Sequence, residues 1–584
     1  MNLRENPFYL SEEDIAWVEK TIADMTTEEK IGQLFVPIGL SGEDGLLHHL
    51  IQDCHVGGIM YRTGRMREIR EIHKKIQSMA KIPMLIAANT EAGGDGLCGE
   101  GTSFGKPMAV AATNDVENAY RMGYVACKEG AAVGLNWSFA PIVDIDYEFH
   151  NPITNVRTFG SNPKRVYDMG SAYLRGAKEN NVAVAIKHFP GDGCDERDQH
   201  VVTSVNHLTV EQWDNSYGFV YRKLIEEGAQ TVMVGHIAQP AYVERLNPHA
   251  TEEEKYLPAS ISKELLTGLL REKLNFNGVV TTDSSCMLGY TTAMKRSEAV
   301  VSSIANGCEI ILFTKDLDED IRYVKQGVTD GRISKERLDE AVTRILALKA
   351  SLNLHKKQLT GRLVPSEEAM NVIGCETHKK WAKEVADASV TLVKDTQHLL
   401  PISPEKYPRV YLNVIQRKRE DANSPIAQQW KKLFEKEGFE VTVRDRSLTI
   451  EVKDFIDENL SIQKQELMEE LYRSVEKFKK TKDLYVYIIN IENASNNTTA
   501  RIDWNVVFGL GDDAPWFVKE IPALFISTAN PYHLFDAPMA KTLINSYHNN
   551  DFQNAAVMEK IMGRSEFKGV SPVDAFCGRP YLRL

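Results

Sequence analysis

The sequence predicts an α/β protein: a (β/α)8 barrel of the TIM type followed by a second α/β domain. The prediction rests on chain length, on apolar runs that alternate with helical spacers, and on polar residues where those runs end. The chain has 584 residues, which is too long for one ordinary domain. With 43% hydrophobic and 26% charged residues, its composition is typical of a soluble globular protein rather than a disordered one.

Apolar runs rich in β-forming residues recur through the first half of the chain. Because they are continuously apolar, they predict strands buried on both faces, as in a parallel sheet. These runs are 83–88, 137–145, 182–189, 231–237, 278–282 and 309–313. The spacers with a helical pattern are 115–129, 163–180, 210–227, 262–273 and 297–306. Strands and helices that alternate at this spacing indicate an α/β architecture.

Polar residues stand where these runs stop, which favours a barrel over a doubly wound sheet. They are Asn89, Glu91, Asp144, Lys187, His188, His236 and Asp283. In a TIM barrel, several strands contribute to an active site at their C-terminal ends. A doubly wound sheet commonly carries a phosphate loop, and no Gly-x-Gly-x-x-Gly motif follows any run. The glycine clusters 93–96 and 509–511 are more typical of loops than of nucleotide binding.

A second domain is predicted because the same pattern starts again after a polar stretch. A helix with Ser334 as its N-cap runs to Leu352 and is expected to close the barrel. Further apolar runs follow at 389–393, 409–415, 484–490, 523–528 and 542–547. We therefore predict a barrel over 1–354, a linker over 355–385 and a second domain over 386–584.

Charge and cysteine usage limit the partners and the location. The net charge of −12 argues against nucleic acid and against an anionic membrane surface as partners. The N-terminus has no apolar signal region, and no stretch of 18 apolar residues occurs. The 8 cysteines are scattered, so neither a disulfide framework nor a structural zinc site is expected. These features predict a cytoplasmic protein, and they leave open whether it forms homo-oligomers.

The densest polar segment is the loop 187–200, which leaves the end of a predicted strand. Asp198 and His200 are two residues apart, so in extended chain both side chains face the same way. A carboxylate beside an imidazole fixes its tautomer and makes a proton-transfer dyad. A solvated acidic loop with an incidental histidine is the alternative. A metal site that adds Asp192 and Asp195 matches no specific ligand spacing, so no metal or cofactor is expected.

Two further side chains are candidates for chemistry or binding. Asp283 directly follows an apolar run and could act as a nucleophile on a sugar, or cap a helix. The forked guanidinium of Arg157 suits two hydroxyls or a carboxylate, and a surface salt bridge is the alternative. His236, at the end of another run, is more typical of a hydrogen-bonded structural histidine than of a catalyst.

These segments together resemble a known family. Lys187-His188-Phe189-Pro190-Gly191, followed by Asp198-Gln199-His200, is similar to the loop of β-N-acetylglucosaminidases of glycoside hydrolase family 3, which ends in Asp-x-His. Other similar segments are 25–34, 140–145, 151–160, 258–262, 278–287, 389–401 and 567–573. The resemblance covers nearly the whole chain and implies a (β/α)8 barrel followed by an α/β sandwich domain.

The resemblance also implies residue roles and an activity. Asp283 is expected to be the nucleophile, His200 the general acid/base and Asp198 its dyad partner. The candidate substrate-binding residues are Asn89, Arg157, Lys187, His188 and His236. The implied enzyme is a retaining exo-β-N-acetylhexosaminidase that hydrolyses terminal β-linked amino sugars through a covalent glycosyl-aspartate. A role in amino-sugar or cell-wall turnover would fit such an enzyme.

The chain departs from the family pattern at one strand end. The family usually reads Asp-x-Glu-Gly-Gly-Arg there, whereas this chain has Asn89 in place of the aspartate and no arginine between Glu91 and Phe104. Lost hydrogen bonds to buried sugar hydroxyls cost roughly 1 to 3 kcal/mol each, so altered sugar recognition is expected. A glycoside phosphorylase, a β-glycosidase for another hexose and a non-catalytic sugar-binding homologue remain alternatives.

Overall fold

The computed structural model describes residues 1–61, 63–492, 494–507 and 513–584, which form two compact units. Unit 1 comprises Met1–Pro107, Asp115–Trp381 and Ser495–Thr498. Unit 2 comprises Met108–Asn114, Ala382–Ala494 and Thr499–Leu584. The predicted domain bounds at 354 and 386 stay a prediction. The glycine cluster 509–511 lies outside the described residues.

Eleven short strands belong to the first unit, and nine of them form one sheet. They are β1 (Phe35–Val36), β2 (Ile38–Gly39), β3 (Gly58–Tyr61), β4 (Leu85–Ala88), β5 (Trp137–Ser138), β6 (Ala183–Phe189), β7 (Ser204–Val205), β8 (Thr231–Val234), β9 (Ile237–Ala238), β10 (Val279–Ser284) and β11 (Ile310–Leu312). The sheet order is β1-β11-β10-β8-β6-β5-β4-β3-β2, and the neighbours pair in parallel. Strands β7 and β9 pair separately.

The nine-stranded sheet closes on itself. Only Pro37 separates β1 from β2, and a proline has no backbone N–H with which to continue a ladder. The two outermost strands of the sheet are therefore two halves of one interrupted strand. With these halves joined, the sheet is a ring of parallel strands that follow one another in chain order, and the predicted (β/α)8 barrel is confirmed.

One predicted strand is much shorter than the sequence suggests. The apolar run 137–145 forms a strand only at Trp137–Ser138. Pro141 cannot donate a ladder hydrogen bond, and beyond it Ile142 makes a single bridge with Lys187. Asp144 nevertheless lies beside the end of β6, because its carboxylate accepts the backbone N–H of His188 at 3.0 Å.

The helices up to residue 359 belong to the first unit, except for the helix that begins at Pro107, whose residues from Met108 on belong to the second unit. They are α1 (Glu12–Asp24), α2 (Thr27–Gln33), α3 (Asp44–His48), α4 (Met66–Met79), α5 (Pro107–Ala112), α6 (Val116–Ala132), α7 (Pro163–Glu179), α8 (Val210–Asn215), α9 (Tyr217–Glu226), α10 (Pro240–Leu246), α11 (Glu252–Lys255), α12 (Leu288–Thr291), α13 (Arg296–Asn306), α14 (Leu317–Thr329), α15 (Lys335–Ser351) and α16 (Leu354–Leu359). Two π-helical segments, His49–Asp53 and Glu264–Lys273, and three 3-10 turns, Gly94–Gly96, Asn155–Arg157 and Glu367–Val372, complete the set. The predicted helix 210–227 is broken at Ser216.

The second unit is a mixed sheet with apolar side chains on both faces. Its elements are α17 (Glu376–Ser389), β12 (Thr391–Asp395), β13 (Arg409–Gln416), α18 (Pro425–Lys436), β14 (Glu440–Val443), α19 (Ile462–Leu471), α20 (Val475–Lys479), β15 (Leu484–Asn490), β16 (Ala523–Ser527), β17 (Thr542–Asn545) and α21 (Asp551–Ile561), with 3-10 turns at Val452–Ile456, His533–Phe535 and Pro580–Arg583. The strand order is β12-β17-β16-β15-β13-β14, with only the β12–β17 pair antiparallel.

Alternation along the strands of the second unit explains why its sheet is covered on both faces. Val486 and Ile488 of β15 belong to one buried cluster, whereas Tyr485 and Tyr487 belong to another. Successive side chains of a strand point to opposite faces, so each cluster marks one face packed against helices or loops. This is the α/β sandwich that the resemblance implies. Within the described part of the chain, none of the helices has the length and apolar content needed to cross a bilayer.

Candidate active site

The predicted site residues gather at the carboxyl ends of the barrel strands. Strand β6 supplies both Lys187 and His188, although adjacent residues of a regular strand point to opposite faces. The pairing of β6 with β8 shifts register between Ile186 and Phe189, so the pleat is interrupted at these two residues. Both side chains consequently turn toward acidic partners at the mouth of the barrel.

Asp283 lies near the end of β10 and faces an oriented imidazole. Its Oδ2 is 3.8 Å from Nε2 of His188, and its side chain is 13% exposed. The other ring nitrogen of His188 is 2.7 Å from Oδ2 of the buried Asp144. Asp144 also accepts the backbone N–H of His188 at 3.0 Å, so the imidazole is held at two points. The imidazole of His188 therefore lies between two aspartates, the buried Asp144 and the more accessible Asp283.

The charges around Asp283 favour its ionised form. Burial disfavours a carboxylate, but the electrostatic interactions with His188, His236 and His200 outweigh burial and lower the pKa of Asp283 below its usual value. A nucleophilic carboxylate must be ionised at the pH of the reaction. The surroundings therefore hold Asp283 in the form that attack on an electrophilic carbon requires.

The predicted Asp198–His200 dyad is formed and lies next to the Asp283 segment. Nδ1 of His200 is 2.7 Å from Oδ1 of Asp198, and that carboxylate accepts the backbone N–H of Asn496 at 2.8 Å. The carbonyl of His200 accepts the N–H of Leu288, five residues after Asp283, at 3.1 Å. The side chain of His200 is 23% exposed, and His200 is one of the groups that lower the pKa of Asp283.

Gln199, between the dyad residues, anchors the loop through hydrogen bonds to neighbouring segments. Its side chain is 1% exposed. The segment is a turn rather than the extended chain expected from the sequence, because the carbonyl of Asp198 accepts the N–H groups of Val201 and Val202. Its Nε2 donates to Asp192 at 3.2 Å, and its Oε1 accepts the backbone N–H of His236 at 2.7 Å. Its carbonyl accepts the N–H of Gly289 at 3.2 Å. The dyad is thus fixed to two other segments of the barrel.

Two cations and a carboxylate form a second cluster at the site. Arg157 donates to Glu91 through Nε at 3.1 Å and Nη2 at 2.8 Å, and Lys187 donates to the same carboxylate at 2.8 Å. Burial raises the pKa of Glu91, but the charges of Arg157 and Lys187 reverse this effect and hold it well below the usual value. Asn89 is exposed and accepts a weaker bond from Lys187 at 3.3 Å.

His236 is buried, and both of its ring nitrogens have polar partners. The residue is 0% exposed. Its Nδ1 lies 2.9 Å from Oγ of Ser260, and its Nε2 lies 2.9 Å from the carbonyl oxygen of Ser284. Burial lowers its pKa to about 4, so it stays neutral near neutral pH. His236 therefore contacts the backbone next to Asp283, and its role as a substrate contact stays a prediction.

Four residues of the site have no role assigned from the sequence. Asp144 and Glu91 stand at the ends of apolar runs, but this position alone does not distinguish a functional residue from a structural one. Gln199 lies inside the dyad motif, but the segment is a turn, so alternation along the chain does not indicate its burial. The backbone N–H of Asn496 reaches Asp198 across 298 residues of chain, and no pattern in the sequence indicates such a contact.

Comparison with known proteins identifies the family. The glycosyl hydrolase family 3 N-terminal domain matches residues 26–348, which is the barrel and its flanking helices. The chain belongs to this family. It is an enzyme of the glycoside hydrolase class on a TIM-type barrel, and both the predicted family and the predicted enzyme class are confirmed.

Full-length relatives support the assignment. A "Beta-N-acetylglucosaminidase/beta-glucosidase" from Cellulomonas fimi is 41% identical over 582 residues, which cover 99% of each chain. The solved structure of a "Beta-glucoside phosphorylase BglX", determined with 2FGlc bound, is 42% identical, covers 99% of each chain and has a TM-score of 0.90. A family 3 β-N-acetylglucosaminidase from Paenibacillus sp. str. FPU-7 is 24% identical with a TM-score of 0.76 over 94% of this chain and 99% of its own, and it shows the shared fold.

Proposed function

We propose that the protein is a retaining exo-β-glycosidase that removes terminal β-linked N-acetylglucosamine or glucose through a covalent glycosyl-aspartate. The observation that carries the proposal is the pairing of an ionised Asp283 with the Asp198–His200 dyad, whose loop packs on the segment after Asp283. A retaining glycosidase needs a nucleophile on one face of the sugar and a proton donor at the leaving oxygen. The two sugars are those that the 41% identical relative is named for.

In the proposed first step, the Asp283 carboxylate attacks the anomeric carbon as the bond to the leaving oxygen breaks. The protonated imidazole of His200 gives its proton to that oxygen, so the aglycone leaves as a neutral alcohol. Asp198, held 2.7 Å from Nδ1, balances the charge of the imidazolium before transfer. In the second step, neutral His200 takes a proton from water as the water attacks the glycosyl-aspartate and frees Asp283.

The cation and carboxylate cluster is proposed to hold the sugar. Arg157, Lys187 and His188 provide hydrogen-bond donors beside Asp283, and Glu91 provides an acceptor between the two cations. Asn89 offers an exposed amide where the family usually has an aspartate. An amide carries no charge, so we expect Asn89 to bind sugar hydroxyls more weakly than a carboxylate would.

Phosphorolysis is the second candidate, because two observations favour it. A histidine acid/base is neutral once it has released its proton, so it repels an approaching phosphate dianion less than a glutamate would. The 42% identical relative is described as a phosphorylase. In phosphorolysis, an oxygen of phosphate attacks the glycosyl-aspartate in place of water in the second step. Because this oxygen carries no proton, His200 does not need to act as a base. The predicted cytoplasmic location, which would supply phosphate, stays a proposal.

A panel of aryl β-glycosides, assayed with and without phosphate, tests both candidates. We expect aryl alcohol release from β-N-acetylglucosaminides and β-glucosides, with free sugar as product in phosphate-free buffer. If the enzyme is a phosphorylase, added phosphate raises the rate and diverts the product to a β-configured sugar 1-phosphate, measured by ³¹P and ¹H NMR. An α-configured product in either buffer would contradict the retaining mechanism, and the absence of turnover on every glycoside would contradict catalysis.

A further inference from the structure

A cluster of three potential metal ligands lies in the first unit, apart from the Asp283 site. Nε2 of His49 is 3.2 Å from Oδ2 of Asp318 and 3.6 Å from Sγ of Cys54. Sγ of Cys54 is in turn 3.6 Å from Oδ1 of Asp318. One donor atom from each residue lies within 4.8 Å of the other two. Imidazole nitrogen, thiolate sulfur and carboxylate oxygen are the donor types that zinc(II) takes from proteins.

The separations between these donors match the edges of a tetrahedral zinc site. Zinc lies about 2.05 Å from nitrogen, about 2.3 Å from sulfur and about 2.1 Å from oxygen. At tetrahedral angles, these bond lengths place nitrogen and sulfur about 3.6 Å apart, nitrogen and oxygen about 3.4 Å, and sulfur and oxygen about 3.6 Å. The two contacts of Asp318 use its two oxygens, so a small turn of this exposed carboxylate presents one oxygen to an ion that His49 and Cys54 share.

A fourth side chain orients the imidazole for this role. Nδ1 of His49 is 3.4 Å from Oδ2 of Asp53, on the side of the ring away from Cys54 and Asp318. Histidines that bind metals commonly donate their second ring N–H to a carboxylate, which leaves the other nitrogen unprotonated toward the ion. Asp53 is four residues after His49 and directly before Cys54, so one short segment supplies two ligands and the orienting carboxylate.

The burial of the ligands leaves one coordination position open. Cys54 is 7% exposed, whereas the side chains of His49 and Asp318 are 42% and 70% exposed. An ion bound here would have protein on its thiolate side and a water molecule on its solvent side. Binding converts the thiol to a thiolate and releases one proton to solvent, so the two ligand charges balance the charge of the cation.

The position in the fold suggests what the ion would do. His49 and Cys54 belong to the π-helical segment and its C-cap that follow β2, whereas Asp318 lies in the first turn of α14, which follows β11. Strands β1 and β11 are the pair at which the barrel closes. We propose that His49, Cys54 and Asp318 form a zinc(II) site with one water ligand, which ties the two segments together at the closing seam of the barrel. The fold brings Asp318 to His49 and Cys54 across at least 264 residues of chain, so the spacing of these residues in the sequence does not indicate the site.

Cobalt(II) and zinc(II) titrations of the chelator-stripped, full-length protein test the proposal. We expect one equivalent of Co²⁺ to produce a thiolate-to-cobalt charge-transfer band, which one equivalent of Zn²⁺ removes, and release of about one proton per ion. We also expect Zn²⁺ to raise Tm, because it binds only the folded chain. Absence of the band, or binding without proton release, would overturn the proposal.

Variants separate this site from adventitious thiol binding. Cys54→Ser and Asp318→Asn are each expected to lower Zn²⁺ affinity at least about 100-fold, and Asp53→Asn about 10-fold, by analogy with outer carboxylates of zinc histidines. Cys286→Ser is the matched control, because Cys286 is an exposed free thiol of the same unit. If the band survived Cys54→Ser or disappeared in Cys286→Ser, the assignment would be wrong. Asp318 is exposed, so its variant stays informative even if Cys54→Ser folds poorly.

Discussion

Asp283→Ala is expected to lower kcat/KM for aryl β-glycosides by at least about 10⁴-fold, which corresponds to about 5 kcal/mol of transition-state stabilisation. The substitution removes the carboxylate that we propose to bond to the anomeric carbon. His188 stays in place, because Asp144 holds it independently of Asp283. The measurement is steady-state kinetics on the aryl glycoside panel, together with a thermal melt that shows an intact fold.

A control and a rescue make the Asp283 experiment specific. Asp330→Ala removes an exposed aspartate whose partner is Arg332, and it is expected to leave turnover unchanged. In Asp283→Ala, azide can attack the anomeric carbon from the side that the carboxylate vacated, so we expect partial recovery and an α-glycosyl azide. Wild-type turnover in this variant, or a β-glycosyl azide, would contradict the nucleophile assignment.

His200→Ala is expected to affect substrates according to their leaving groups. Proton donation contributes typically 10²- to 10⁴-fold in rate, and a poor leaving group depends on it fully. We therefore expect a loss on the order of 10³-fold for alkyl glycosides and disaccharides, and a small loss in the first step for dinitrophenyl glycosides. The measurement is the slope of log(kcat/KM) against leaving-group pKa, which becomes steeper in the variant.

The chain offers a matched control for His200. Nδ1 of His150 is 2.7 Å from Oε1 of Glu148, two residues earlier, which is the same pairing at the same spacing as in the dyad. His150→Ala is expected to leave the leaving-group slope unchanged. In His200→Ala, azide should speed the second step and give a β-glycosyl azide, because azide needs no base. Equal losses for every leaving group would argue that His200 does not donate the proton.

The barrel and the polar residues at its strand ends could be predicted from the sequence, because both depend on local pattern. A strand buried on two faces must be apolar throughout, and a charged residue at its end is costly unless it has a partner. Asp283 and Lys187 stand out for that reason. The short strands β1 to β3 and β7 escaped prediction, because runs of two to four residues carry little pattern.

The interactions between distant segments could not be predicted. Glu91 is 66 residues from Arg157 and 96 residues from Lys187, and only the closure of the barrel makes it their shared partner. His236 has the same local signature as His188, a histidine at a strand end, yet one is enclosed by Ser260 and Ser284 and the other faces Asp283. Which of two such residues faces the Asp283 carboxylate is decided by packing from other elements.

The most direct test of the account is to trap the glycosyl-enzyme. A 2-deoxy-2-fluoro β-glycoside with a dinitrophenyl leaving group slows the second step more than the first, so the covalent form accumulates. If glucosides are not substrates, a 5-fluoro β-N-acetylglucosaminide serves the same purpose. Intact-mass and peptide analysis are then expected to show one fluorosugar per chain, on the peptide and side chain of Asp283. A label on another residue, such as Glu91, or steady release of dinitrophenol with no covalent adduct in the wild type, would contradict the central claim.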